Sequence, residues 1–180
     1  MKQSKRSILV VLSILLAAVL AAHEAVAQSA KRVLVLYSYS RLVPVDVEVD
    51  HGLDTVFEPE GMGSIRRSSE FLDSPEFQGD AYEDLMAVYL GGKYADSPPD
   101  VIIAVADNAL SFLVHHRTRL FPGIPIVHTV VSSSSLQALG PIPADIVGVA
   151  NDYDFIGTVN QAIVWHPSAR RLVIITGASL

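Results

Sequence analysis

The stretch VAVADNALSFL places Asp107 and Asn108 at the seam between an apolar, β-branched run and a segment of helical period. At such a seam a carboxylate or carboxamide caps the helix by accepting an orphan N–H. It can equally hold a ligand, because the helix end offers free N–H groups and partial positive charge. A second seam, LYSYSRL, follows the first apolar run with Tyr39, Ser40 and Arg41 in a loop, while alternation puts Tyr37 in the core. A third, SSEFLDSPEF, sets Glu70 and Asp73 three residues apart. Two carboxylates at that spacing invite acid–base chemistry, which would need a shifted pKa and a facing substrate. Asp73 or Ser74 ahead of Pro75 also reads as an ordinary helix start, so a place in the lining of a cleft is the stronger expectation.

Other chemistries find no support in the residues. His51, His115, His116, His128 and His166 lack the i, i+4 spacing of a zinc pair. Adjacent His115 and His116 point about 100° apart on a helix. His128, late in a strand, is the one histidine expected at a cleft edge, with a structural role. Gly61-Met62-Gly63 lacks the third glycine of a dinucleotide fingerprint and precedes a strand, and the chain has neither a G-x-S-x-G elbow nor a G-x-x-x-x-G-K-S/T loop. The run Ser132 to Ser135 has no evident base partner and reads as a flexible connection. The expectation is therefore a protein that is not an enzyme, with no catalytic residue, cofactor or metal.

Composition bounds the compartment. The first 27 residues have a basic start (Lys2, Lys5, Arg6), an apolar run from Ile8 to Ala22 and a small-x-small site at Ala25-Val26-Ala27. This is a secretory signal peptide, its apolar run shorter than the roughly 20 residues of a spanning helix. The whole chain carries 13 basic and 19 acidic side chains, net −6; the leader holds three of the former and one of the latter, so the remainder stands at −8. So acidic a surface argues against nucleic acid or anionic membrane as a partner. Export without a single cysteine leaves core packing alone to hold the fold. The expected location is the periplasm.

The elements that must position these residues alternate. Apolar runs at Val33–Tyr37, Ile65–Phe71, Val101–Ala106, Ile124–Val131, Ile146–Val149 and Arg171–Thr176 read as strands. Segments of helical period follow Pro44, Ser74-Pro75 and Asp107, and another runs from Phe155 to Trp165. In the first helix Val45, Val49, Leu53 and Val56 form the apolar stripe, with Asp46, Glu48, Asp50 and Asp54 mostly elsewhere. The pattern predicts an α/β fold: an open, twisted, mainly parallel sheet with helices on both faces. Such sheets bind ligands beyond the carboxyl ends of their strands.

The segments RVLVLYSY, PPDVIIAVADNALSFLVHHRTRLFPGIPIV and IVGVANDYDFIGTVNQAIVWHPSARRLVIITGAS resemble, in order and spacing, the ABC-transporter substrate-binding-like periplasmic domain found ahead of many bacterial sensor histidine kinases. Ala106 stands where that family commonly carries glycine, and His128 where an aromatic is frequent. The resemblance implies a type I periplasmic-binding-protein fold, two α/β lobes with ligand held between them. Laid on this chain, 1–27 is the signal peptide, 28–150 the first lobe, and 151–180 the hinge crossing and the start of a second lobe. Ligand-facing candidates by position are then Tyr39, Ser40, Asp107, Asn108, Thr129 and Tyr153. The implied function is an exported small-molecule recognition module, serving as the sensory input of a signal-transducing receptor or as an ABC-type substrate-binding protein, with a membrane kinase or a permease as partner. The alternative is a small exported flavodoxin-like enzyme.

Overall fold

The computed structural model describes residues 30–57 and 65–174. The expected leader, the Gly61–Gly63 break and the last two residues of the expected closing strand lie outside the described residues. Among the described residues five strands and five helices alternate: β1 (Lys31–Tyr37), α1 (Pro44–Phe57), β2 (Ile65–Phe71), α2 (Asp80–Lys93), β3 (Val101–Val105), α3 (Asp107–Leu120), β4 (Ile126–Val131), α4 (Ser133–Ala138), β5 (Ile146–Ala150) and α5 (Phe155–Trp165). The strands form one all-parallel sheet in the order β2-β1-β3-β4-β5. This is the open α/β architecture that the alternation of runs predicts.

Side-chain alternation sorts the core into two layers. Leu34, Leu36, Ile102, Ala104, Ile126 and Ile146 face one way and pack under α2 and α3 through Leu90, Leu110, Phe112 and Leu113. Val33, Val35, Tyr37, Ile103 and Val105 face the other way, under Val49, Leu53 and Phe57 of α1. β1 is buried on both faces, which explains its unbroken apolar run.

Several expectations change. The second helix begins at Asp80, after Gly79, because 74–79 form a turn. The Ser132–Ser135 run is helical at α4: the Ser132 hydroxyl accepts the Ser135 N–H at 3.1 Å and caps it. Residues 171–174 are not a strand, and Leu172, Val173 and Ile174 are exposed. A strand exists only beside a hydrogen-bonding neighbour, and among the described residues none lies next to that segment. Helix α5 has the expected bounds yet buries no residue. No helix among the described residues is long and apolar enough to cross a membrane.

Candidate functional site: the crevice at the β1–β3 switch point

β1 and β3 are neighbours, but the helices that follow them pack on opposite faces of the sheet. Their carboxyl ends therefore part and leave a crevice, the usual ligand position in this architecture. Ser38, fully buried just beyond β1, fixes its floor. The Ser38 hydroxyl donates to the Val105 carbonyl and accepts the Ala109 N–H, both at 2.8 Å, tying β1 to the first turn of α3.

Tyr39 stands at the centre. Its phenol is held above its ordinary pKa by burial first, and then by Asp107, Asp46 and Tyr153. These three groups therefore lie within electrostatic reach of its phenol. Asp107 is not the N-cap: Ala106 occupies that position, and Asp107 is the first residue of α3. Its carboxylate instead reaches across to β4, where Oδ1 accepts the Ser132 N–H at 2.9 Å and both oxygens lie 3.4 Å from the Ser132 hydroxyl. Asp152 repeats the device one strand further out. It accepts the Ser133 N–H at 2.8 Å and the Ser133 hydroxyl, and these bonds hold its pKa below the ordinary value.

Asp46 is the unexpected member. The helical period put it away from the apolar stripe of α1, yet it is 1 % exposed and neither carboxylate oxygen has a hydrogen-bond partner among the described residues. Burial, with the nearby Asp50 charge second, pushes its pKa up to about 6. Asp50 itself accepts the Tyr37 hydroxyl and pairs with Arg67, which also meets Asp54 at 2.8 Å.

The backbone is strained along the same rim. Asp73, Ala106 and Val130 have φ of 49°, 68° and 59°, and each lies at the carboxyl end of its strand. Such conformations cost on the order of 1–3 kcal/mol each and concentrate at functional sites. Ala106, with ψ of 173°, occupies a region that only glycine enters freely.

Of the six residues proposed from sequence, the structure places Asp107 and Tyr153 within electrostatic reach of Tyr39. Ser40 is exposed in a turn where its carbonyl accepts the Val43 N–H at 3.0 Å. Asn108 turns toward β2 and donates to the Ser74 hydroxyl at 2.5 Å. Thr129 serves through its carbonyl, which accepts the Ala106 N–H at 2.9 Å. Glu70 is not cleft lining either, since it is buried and bonded to Tyr94 and Lys93. His128, expected at the cleft edge, is buried between Ala104 and Gly148. A Cβ on Gly148 would collide with its main-chain oxygen and ring. Burial lowers the imidazole pKa. Sequence reasoning missed Asp46, Ser132 and Asp152; for Ser132 the signal was its place three residues before a backbone N–H it could cap.

Together these features define an open α/β lobe with an oxygen-rich, acidic crevice at its switch point. Neither family models, nor curated proteins, nor solved structures returned a match to this chain.

Proposed function

We propose that this chain is an exported, non-catalytic small-molecule recognition module of the periplasm, the sensory input domain of a signal-transducing receptor or an ABC-type substrate-binding protein. A small molecule is the ligand, and a membrane kinase or a permease reads the bound state. The observation that carries this reading is the placement of Tyr39, Asp107 and Tyr153 just beyond the carboxyl ends of β1, β3 and β5, where Asp107 and Tyr153 lie within electrostatic reach of the Tyr39 phenol. Three hydrogen-bonding groups from separate segments, with Asp107 anchored by the Ser132 N–H, are what orienting a ligand requires. Carboxylates and phenols favour a ligand that presents hydrogen-bond donors or positive charge.

The strand order β2-β1-β3-β4-β5 is also that of flavodoxin-like proteins, which keeps an enzyme as the second reading. Phosphate-bearing cofactors in such sheets sit on helix N-termini. Here the first turns of α1 and α3 carry Asp46 and Asp107, whose charge opposes a phosphate. That arrangement favours recognition of an uncharged or cationic molecule over nucleotide chemistry.

The test is a ligand panel of amino acids, amines, sugars and aromatic acids followed by NMR. The expected result is saturable shifts at Tyr39, Asp107 and Tyr153 with at least one compound, weakened at least tenfold in Asp107→Ala. Shifts confined to other surfaces, or turnover of a compound, would count against the recognition module.

A further inference from the structure

The opposite end of the sheet carries a second feature, independent of the crevice. Arg32 and Arg66 are register partners on the adjacent parallel strands β1 and β2. Register partners point to one face, so both arginine side chains leave the sheet on the same side, a placement that like charges oppose. Both line a cavity of about 210 Å³, together with Ser68, Lys93, Tyr94 and Ser97. On a chain whose net charge is −6, three cations around one small cavity are a concentration that the rest of the surface does not explain.

The local partners do not satisfy this charge. Lys93 is committed to Glu70 at 2.6 Å. Asp100 accepts the main-chain N–H of Arg32 at 2.7 Å, and the same oxygen lies 3.8 Å from Arg32 Nε, an ion pair too long for a hydrogen bond. Arg32 Nε is buried without a hydrogen-bond partner among the described residues, while the side chain as a whole is 41 % exposed. A buried donor left unmade is unfavourable and calls for an acceptor. A carboxylate or phosphate has the planar or forked acceptor geometry that paired guanidinium groups bind best.

The cavity also continues into an apolar one. A neighbouring space of about 450 Å³ shares Arg32, Tyr94 and Pro99 with it; its other lining is apolar, chiefly Leu120, Phe121, Pro122 and Ile124, apart from Asp100 at the Arg32 end. We propose that the amino-terminal end of the β1–β2 sheet binds an amphiphilic anion, its carboxylate or phosphate head between Arg32 and Arg66 and its apolar body in the groove between the end of α2 and the end of α3. Binding there relieves the repulsion between the two guanidinium groups and supplies an acceptor for Arg32 Nε. The groove lies away from Tyr39 and Asp107, so its occupancy does not depend on the function proposed for the crevice.

The experiment is an NMR titration of the purified protein with octanoate, octyl phosphate, inorganic phosphate and octan-1-ol. Octanoate or octyl phosphate is expected to bind saturably and at least tenfold more tightly than octan-1-ol, and the tighter of the two identifies the head group. Arg66→Ala is expected to weaken the better of these two ligands at least tenfold while leaving the melting temperature unchanged or raised, because it removes a like-charge neighbour. Gly91→Leu, which fills the groove at a position where a Cβ meets Leu120 Cδ1 at 3.6 Å, is expected to weaken that ligand without altering inorganic phosphate. Equal affinity for octan-1-ol, indifference to both substitutions, or no saturable binding at millimolar concentration would each overturn the proposal.

Discussion

One register row crosses the sheet from sealed to bare. Val35, Ile103, Val127 and Val147 pair in turn across β1, β3, β4 and β5 and face the α1 side. Their exposures rise along the row: 0 %, 9 %, 39 % and 55 %. All four are β-branched and apolar, so residue type does not distinguish them. What distinguishes them is cover: α1 lies over β1 and β3, and among the described residues no helix seals β4 and β5 on that face. Val149, next on that face of β5, is 80 % exposed, and α5 exposes Phe155, Ile156, Ile163, Val164 and Trp165. The comparison teaches that strand formation and core formation are separable: hydrogen bonding to β3 and β4 makes β4 and β5 strands, whereas burial needs a second layer.

Substitutions along this row sharpen the contrast. Ile103→Ala, at the sealed end, is expected to lower stability by about 2–5 kcal/mol in urea unfolding, the usual cost of an Ile-to-Ala cavity. A loss below about 1 kcal/mol would mean that α1 does not seal the row. Beneath α1 the buried Asp46 adds a pH dependence. Its pKa rises from an ordinary 3.8 to about 6, so between those values the folded chain holds a proton that the unfolded chain has lost. Stability therefore falls as pH rises through this window and levels off above it. The shift corresponds to roughly 2–3 kcal/mol, and Asp46→Asn is expected to recover much of it at pH 7 and to flatten the profile. A variant no more stable than wild type at pH 7 would show that the charge has a partner in solution.

Smaller effects follow. Ala106→Gly is expected to raise stability by about 1 kcal/mol, because glycine adopts φ of 68° without strain. A decrease would mean that the alanine methyl contributes more than the strain costs. Val147→Ala, at the bare end, is expected to change stability by less than about 0.5 kcal/mol. Wild-type protein is expected to self-associate through this face at high concentration, and Val147→Lys with Val149→Lys to reduce that association in sedimentation velocity. A wild type that sediments as a monomer throughout would break the comparison, since the face would then be covered in solution.

Much of the fold is legible in the sequence. Val33–Tyr37 and Val101–Val105 are uninterrupted apolar runs bounded by polar turns, and Phe155–Trp165 is a helix with the bounds its period gives. The candidate site is less so. Tyr39 and Asp107 are visible as polar residues at strand ends, but Asp46 reads as part of a solvated helix face, and the Arg32 and Arg66 side chains are 34 positions apart in the chain. The strand expected at 171–176 has the same local character as β1, and 171–174 nevertheless remain outside the sheet.

By itself, then, the sequence determined the five strands and four longer helices in their order, and which loops meet the carboxyl ends of the strands. Those properties follow from local periodicity and turn chemistry, which act over a few residues. Only the tertiary structure decided that β1 lies between β2 and β3, that Asp46 is buried without a partner among the described residues, that Arg32 and Arg66 are register partners, and that identical valines are core at one end of a row and surface at the other. Each of these depends on which distant segment supplies a hydrogen bond, a charge or a covering layer, and a local pattern carries no record of that neighbour.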